Sequence, residues 1–288
     1  MIDVIINPIA GHGRGRRIGQ KIIEALRRRG LAFRSFLTEY PGHATQLAHK
    51  SQSENTETVL SVGGDGTAYE IACGLIHSKT ALGIVPAGTG NDFVKTLGMP
   101  KNPLAALEFI LSHPPRLLDV GRMNDQMFLN VCGTGFDVSV LQYSMTAKKY
   151  VRGLLPYLYG VIRTIFHFKS VPMEITIDDQ TNLKGSYLIC SIANGRFIGG
   201  GIPISPTGMV DDGQLDVVLL KSIPNWKMIF YLPGLLMGLV RSFAITSHYR
   251  CSKVSIHAPG MLLNVDGEIL PIEKASFAAL KSALLVHW

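Results

Sequence analysis

Cysteine is scarce in this 288-residue chain, and Cys73, Cys132, Cys190 and Cys251 stand far apart. A disulfide scaffold needs density and a zinc site needs close pairs, so both are excluded, and the four read as buried, reduced thiols. Long apolar runs are missing too. The strongest, Met228 to Val240, is broken by Pro233 and Gly234 and bracketed by Lys227 and Arg241, whereas a membrane-spanning helix needs roughly 20 apolar residues. The segment Met1 to Pro8 has neither a basic n-region nor a long apolar h-region, so a cytoplasmic protein is expected. Internal repeats and low-complexity tracts are lacking as well. Charged residues make up only 17% of the chain against 47% hydrophobic, which argues against disorder and for substantial cores. The formal net charge of +7 favours anionic partners without choosing among nucleotide, nucleic acid and membrane. No recognisable nucleic-acid module accompanies the basic residues, so nucleic acid is not an expected partner.

What is present divides into two textures. From Met1 to Leu118, short apolar runs ending in glycine-rich turns alternate with helix-like segments, the pattern of a parallel sheet covered by helices. Candidate strands are Val4–Asn7, Val59–Val62 and Ala81–Val85, and Ile18 to Arg29 carries apolar residues at helical spacing before a terminal arginine run. From 119 to 276 the chain is β-rich, with candidate strands Gln126–Cys132, Met173–Ile177, Tyr187–Ala193, Leu215–Leu220, Val254–His257 and Leu262–Val265. Two helix-like stretches, Thr146–Lys169 and Trp226–Ile245, interrupt it. The expected fold is an α/β nucleotide-binding domain followed by a mainly β sandwich.

Three loops in the first part each follow an apolar strand, where ligands gather in open α/β sheets. They are Asn7-Pro8-Ile9-Ala10-Gly11 running into His12 to Arg16, Gly63-Gly64-Asp65-Gly66-Thr67, and Pro86 to Phe93. Their glycines permit close backbone approach, and helix starts offer N–H groups to phosphate, with Arg14 and Arg16 adding charge. None ends in the Gly-Lys-Ser/Thr of a P-loop, and none has the third glycine of the dinucleotide fingerprint. One such loop is as readily a plain turn as a phosphate cradle; three, two of them carrying an acid, point to a nucleotide.

At the second and third loops the chain resembles the diacylglycerol kinase catalytic domain family, which includes bacterial soluble lipid kinases, is similar to sphingosine kinases and is more distantly related to NAD kinases and phosphofructokinases. Gly63 to Thr67 alone marks that superfamily; Pro86 to Phe93 with Asn7-Pro8 is more specific. Further matches are Asp119-Val120-Gly121, Asn130 to Asp137, Ala193-Asn194-Gly195, Gly199-Gly200-Gly201, Asp211 to Asp216 and Asp266-Gly267-Glu268. The resemblance implies ATP contacts from Asn7, Pro8, Ile9, Ala10 and Gly11, from Thr38, from Gly63, Gly64, Asp65, Gly66, Thr67 and Glu70, and from Thr89, Asn91 and Asp92. It implies that Asp65 and Asp92 organise Mg2+ near the phosphates. It also implies a structural Mg2+ held by the Asp212 carboxylate and the carbonyls of Met209 and Gln214; from residues alone, Asp211-Asp212-Gly213 reads as a surface turn. Residues 277–288 are implied to pack back onto the first domain.

Phosphoryl transfer needs a base for the attacking hydroxyl. Asp266-Gly267-Glu268, flanked by apolar runs, is either a solvated hairpin turn or a pair of acids whose surroundings raise their pKa. The resemblance implies that it faces the interdomain cleft, with Glu268 as proton acceptor and Asp266 as its partner or rival. The implied function is an ATP- and Mg2+-dependent kinase of a lipid hydroxyl, with diacylglycerol the first expectation and an NAD kinase-like enzyme or a silent lipid-binding protein as alternatives. A soluble kinase must meet its lipid at the membrane, so anionic phospholipid on the inner face of the cell membrane is an expected partner. Lys148, Lys149, Arg152 and Arg163, interleaved with Leu154, Leu155, Tyr157, Leu158, Tyr159, Ile162, Ile165 and Phe166, suit an interfacial helix as well as a core one. A homodimer is left open.

Overall fold

The structure is a computed structural model describing residues 1–147 and 155–288. Its first half is built from β1 (Ile2–Ile6), α1 (Ala10–Arg28), β2 (Phe33–Leu37), α2 (His43–Ser53), β3 (Thr58–Gly63), α3 (Asp65–Leu75), β4 (Ala81–Pro86), α4 (Asp92–Thr96) and α5 (Pro103–Ser112). The strands lie parallel in the order β2-β1-β3-β4, with Ile5 opposite both Phe36 and Ser61, and Val62 opposite Val85. Being parallel, they all end at the same edge, which is what brings the loops together. Val4, Ile5, Leu60, Val62, Leu82 and Val85 are sealed on both faces, because helices cover both sides of a parallel sheet.

The second half comprises β5 (Arg116–Met123), β6 (Gln126–Phe128), β7 (Val131–Gly135), α6 (Phe136–Ala147), α7 (Leu155–His167), β8 (Val171–Ile177), β9 (Thr181–Ala193), the short pair β10 (Phe197–Ile198) and β11 (Ile202–Pro203), β12 (Leu215–Lys221), α8 (Met228–Leu236), β13 (Thr246–Cys251), β14 (Lys253–His257), β15 (Leu262–Val265), β16 (Glu268–Pro271) and β17 (Lys274–Val286). Antiparallel strands run β16-β15-β7-β9-β8-β14-β17, with β12 beside the end of β9 and β13 beyond it. Alternation sends Cys132, Cys190, Ile192, Val217 and Leu219 into the sandwich interior, and Val131, Ile189, Ala193, Val218 and Leu220 to the opposite face under α6, α7 and α8. Phe128 is fully buried against Phe277, in space left by Gly121: a Cβ there would sit 2.1 Å from the ring.

The halves share strands rather than a linker. β5 spans the boundary expected at Leu118 and pairs antiparallel with β17, whose Val286 meets Leu82 of β4 in parallel. The β5–β17 register shifts between Leu280 and Leu284, where Ser282 has φ 49°. Asp119 holds this bulge, accepting from the Ser282 N–H at 2.8 Å and from the Gly213 N–H.

Three segments differ from the sequence expectation. Gln126–Cys132 is two strands, β6 and β7, separated by a kink. A helix begins at Phe136, ten residues before Thr146, because the Asn130–Asp137 segment turns directly from strand into helix. The expected helix Trp226–Ile245 is only α8 flanked by short 3-10 turns: Pro233 interrupts its hydrogen bonding and Gly238, at φ 76°, ends it. Lys148, Lys149, Arg152 and Leu154 lie outside the described residues. Cys132, Cys190 and Cys251 are buried free thiols, and Cys73 is half-buried.

Candidate active site

The three loops interlock through glycine. A Cβ on Gly11 would lie 2.2 Å from the Ala87 carbonyl oxygen, and one on Gly88 would lie 2.4 Å from Gly64 Cα, so the loops cross backbone to backbone. Gly11, His12 and Gly13 have positive φ, and regular helix in α1 starts only after them. Asn7 fixes the crossing, donating from Nδ2 to Thr67 Oγ1 at 3.1 Å and accepting from the Ile9 N–H through Oδ1. Asn91, itself at φ 51°, closes on Gly88 from both sides, accepting from its N–H at 3.1 Å and donating to its carbonyl at 2.9 Å. Pro8 and Ala10 lie between these fixed points, while Ile9 and Thr89 are exposed. α3 starts at Gly64 with no side-chain cap, so the N–H groups of its first turn, around Asp65, Gly66 and Thr67, form a ready cradle for phosphate.

Thr38 stands at the end of β2 on the same edge, its N–H donating to the Ile6 carbonyl at 2.9 Å. Glu70 has a structural occupation: its carboxylate accepts from the Ala44 N–H at 3.2 Å, holding the start of α2. Arg14 and Arg16 are exposed at the start of regular α1.

Asp65 and Asp92 part company. Asp65 Oδ1 accepts from the Phe93 N–H at 3.0 Å, and Oδ2 lies beside Gly90, where a Cβ would stand 3.0 Å away. Burial pushes its carboxyl upward, backbone N–H groups of Phe93, Asn91 and Asp92 oppose this, and the Asp92 charge adds to it. Asp92 is 7% exposed and uses both oxygens: Oδ1 takes Lys95 Nζ at 2.9 Å, and Oδ2 takes the Gly200 N–H at 2.7 Å. Mg2+ commonly binds through one or two carboxylates plus phosphate and water. Asp65, with an acid-rich neighbourhood and room beside Gly90, fits that role; Asp92, occupied by an ammonium, does not in this arrangement.

The expected structural metal loop is likewise filled from within. Asp212 Oδ1 accepts from the Gln214 N–H at 2.9 Å, and Oδ2 is ion-paired to Arg250, whose Nε also lies 3.7 Å from Asp216. Met209 is exposed. Arg250 competes with a cation for the Asp212 carboxylate, whose Oδ2 is buried and accepts no hydrogen bond among the described residues. No group of three metal-capable side chains occurs among the described residues.

Across the cleft, Asp266 (φ 46°) accepts from three consecutive backbone N–H groups, those of Leu129 at 2.6 Å, Asn130 at 3.0 Å and Val131 at 3.1 Å. That clamp creates the kink between β6 and β7 and fixes the β15–β16 turn, to which Asn264 adds a bond from the Gly267 N–H at 2.8 Å. Burial, with a smaller contribution from the charge of Asp65, lifts the Asp266 carboxyl to about 6 against these three donors. Glu268 follows, exposed, as the first residue of β16. Tyr69 of α3 feels the charges of both Asp266 and Glu268 in addition to its burial, which places the turn against the first domain.

Two residues given no role by sequence reasoning stand out. Asp137, in the first turn of α6, buries both carboxylate oxygens without a well-formed hydrogen bond among the described residues; only the Asn264 amide and local backbone N–H groups help it, and burial pushes it to about 6. It lies in the gap left by Gly133, where a Cβ would be 2.7 Å from its Oδ2. A buried acid in a glycine gap is a signal that the motif Gly133 to Asp137 itself carries. Lys95 is the second.

Known proteins give this geometry a family. Residues 2–123 match the diacylglycerol kinase catalytic domain, and residues 130–287 match the YegS C-terminal NAD kinase beta sandwich-like domain. A diacylglycerol kinase of Mycobacterium tuberculosis is 26% identical over 99% of this chain and 94% of its own. A Pseudomonas fluorescens protein named probable lipid kinase YegS-like is 32% identical over 92% of this chain and 88% of its own. A solved Bacillus anthracis structure, assigned as a diacylglycerol kinase, superposes with a TM-score of 0.79 at 26% identity, covering 100% of this chain and 96% of that one. With both domain profiles in sequence and relatives aligned nearly end to end, the chain belongs to the diacylglycerol kinase and YegS-like lipid kinase family.

Proposed function

We propose that this kinase transfers the γ-phosphate of ATP to the hydroxyl of a membrane lipid, with diacylglycerol as acceptor and phosphatidic acid as product. The observation that carries the proposal is the opposition of two half-sites: an uncapped helix start ringed by glycine loops on one side, and on the other a free carboxylate, Glu268, on a turn made rigid by Asp266. ATP phosphates bind the N–H groups at Gly64 to Thr67 and the Gly88–Gly90 loop. Mg2+, held by Asp65, would neutralise charge between the phosphates. Glu268 accepts the proton of the acceptor hydroxyl as its oxygen forms a bond to the γ-phosphorus and the bond to the leaving ADP oxygen breaks. Asp266 positions Glu268 without taking the proton, because its oxygens are committed to three N–H donors. Asp137, with Asn264 linking it to the same turn, receives the polar end of the acceptor.

A lipid acceptor is favoured by the apolar character of the second domain. Phe136, Ile165, Leu188, Leu220, Met228 and Leu235 line a predominantly apolar cavity under α7 and α8, of about 20 Å³, which would have to open to admit an acyl chain. Beside it Phe166, Trp226, Phe230 and Met237 stand 74%, 63%, 72% and 73% exposed, with Lys227 over the Trp226 ring. Among the described residues no helix is long and apolar enough to cross a membrane. Exposed aromatics with neighbouring cations suit binding at a bilayer surface, and anionic phospholipid at the inner face of the cell membrane is the surface proposed. The test is Mg2+-dependent transfer of labelled phosphate to a panel of lipids in mixed micelles. Transfer to diacylglycerol supports the proposal; transfer to another lipid alone would replace the acceptor, and transfer to NAD alone would overturn the lipid assignment.

A further inference from the structure

The short pair β10–β11 belongs to the second domain, yet its tip touches the first. Gly199, Gly200 and Gly201 take φ values of 65°, 92° and 126° in succession, a backbone path that side-chain-bearing residues rarely follow. The tip lies against the third loop: a Cβ on Gly90 would stand 3.7 Å from Gly200 Cα. Two side chains of α4 grip it. Asp92 accepts from the Gly200 N–H at 2.7 Å, and Lys95 donates to the Gly200 carbonyl at 2.7 Å while pairing with Asp92 at 2.9 Å. One residue of one domain is thus held at both its backbone polar groups by an ion pair from the other. Thr96 adds a third tie, accepting from the Arg196 N–H at 3.0 Å.

The grip is well protected. The Lys95 and Asp92 side chains are 18% and 10% exposed, so their pairing is screened far less than a surface ion pair. Lys95 is also hemmed in by the tip itself, since a Cβ on Gly201 would come within 2.8 Å of its ammonium. It places a cation beside Asp92, next to the glycine loop at Gly90.

We propose that Lys95 is a positioning residue whose ammonium, bridging Asp92 and the Gly200 carbonyl, latches the Gly199–Gly201 tip over the nucleotide site and so couples ATP binding to closure of the two domains. The proposal rests on the kinase reading for its consequence in turnover, but not for the latch itself. Without the ammonium, Asp92 is left as a buried, partly paired charge, and Gly200 keeps only its N–H tie to Asp92, with Thr96 still holding Arg196. ATP then meets an open loop, its KM rises, and water gains access to the phosphate.

Hydrogen exchange and steady-state kinetics on the full chain test this together. In nucleotide-free Lys95→Met, amides of 197–203 should exchange about tenfold faster or more than in the wild type, the loss expected for one charge-assisted bond, while the β1–β4 amides stay protected. KM for ATP should rise by about tenfold with a smaller change in kcat. Lys95→Arg should restore both, because a guanidinium reaches the same two acceptors. Gly201→Ala, which pushes on the ammonium from the opposite side, should reproduce the exchange phenotype with Lys95 present. Unchanged exchange of 197–203 in Lys95→Met would overturn the latch, as would Lys95→Arg behaving no better than Lys95→Met. Because exchange is read without turnover, a wild type that phosphorylates no lipid would sink the acceptor assignment and leave the latch still tested.

Discussion

Asp65 at the start of α3 and Asp266 on the β15–β16 turn face one another across the interdomain cleft closely enough that, on top of burial, the charge of the first raises the pKa of the second. Two acids from different domains thereby act on one another, and the proposed kinase reaction sets the cation and phosphate between them. The consequences divide between the residue that moves the proton and the residue that holds it.

Glu268→Gln should leave ATP binding and thermal stability close to those of the wild type, since the side chain is exposed, and should lower kcat by a factor on the order of 10²–10⁴. Asp266→Asn should lose stability as well, on the order of 2 kcal/mol, because an amide NH2 replaces an acceptor facing three N–H donors. Paired melting and titration calorimetry separate the two; equal destabilisation by both substitutions would contradict the division of labour.

The raised acids make stability depend on pH with a definite sign. Asp266 and Asp137 sit at about 6 when folded, above the ordinary carboxyl value of 3.8. The folded protein therefore binds these protons more tightly than the unfolded chain, and stability rises as pH falls from about 7 through 6 toward 4. Asp3 acts oppositely: burial alone would raise it, but hydrogen bonds from Arg34 and Thr56 outweigh that and hold it low, so its contribution is lost only below the ordinary value. Burial holds His287 below its ordinary value, which opposes the trend as pH falls through about 6.5. It is one group against two strongly raised acids, so the nucleotide-free protein should melt higher at pH 5 than at pH 7.5. Asp137→Asn should be more stable than wild type at pH 7.5, by ~3 kcal/mol, and show a flatter pH dependence. A melting temperature that falls steadily from pH 7.5 to 5 would refute this account.

Arg250 occupies the charge position of the loop at Asp212. Nucleotide-free protein should therefore melt at the same temperature in EDTA and in millimolar Mg2+. Arg250→Met should be destabilised, by about 1 kcal/mol given the partly exposed pair, and should gain stability on adding Mg2+. A large EDTA effect on the wild type would show that the turn holds a metal.

Membrane contact is checked by flotation with anionic, diacylglycerol-containing vesicles. Trp226→Ser combined with Phe230→Ser should weaken vesicle binding by roughly tenfold per ring, from the apolar area removed, with the fold intact because both rings are exposed. Undiminished binding of the double variant would move the contact elsewhere.

The first domain was legible in the sequence because its information is local: apolar runs such as Val59 to Val62 end in glycine loops, and parallel strands bring those loops to one edge whatever the details. Long-range pairings were not legible. Gly199-Gly200-Gly201 stood out as a motif, but its grip by Asp92 and Lys95 joins residues more than a hundred positions apart. For the same reason the pairing of Asp92 with Lys95 and of Asp212 with Arg250, which competes with the Mg2+ roles expected for those carboxylates, is announced by no spacing rule. The start of α6 was missed because its apolar residues face both the sheet and α7, which erases the one-sided stripe that marks a surface helix. Thr38 carries no local signal; only the family resemblance pointed to it.

The central claim is best tested by following γ-phosphate from labelled ATP into diacylglycerol in mixed micelles, with Mg2+ present or chelated, NAD as a soluble competitor and Glu268→Gln as the control protein. The account predicts Mg2+-dependent labelling of the lipid by the wild type, none of NAD, and loss of lipid labelling in Glu268→Gln. Label in NAD and not in lipid, or full lipid labelling by Glu268→Gln, would contradict it.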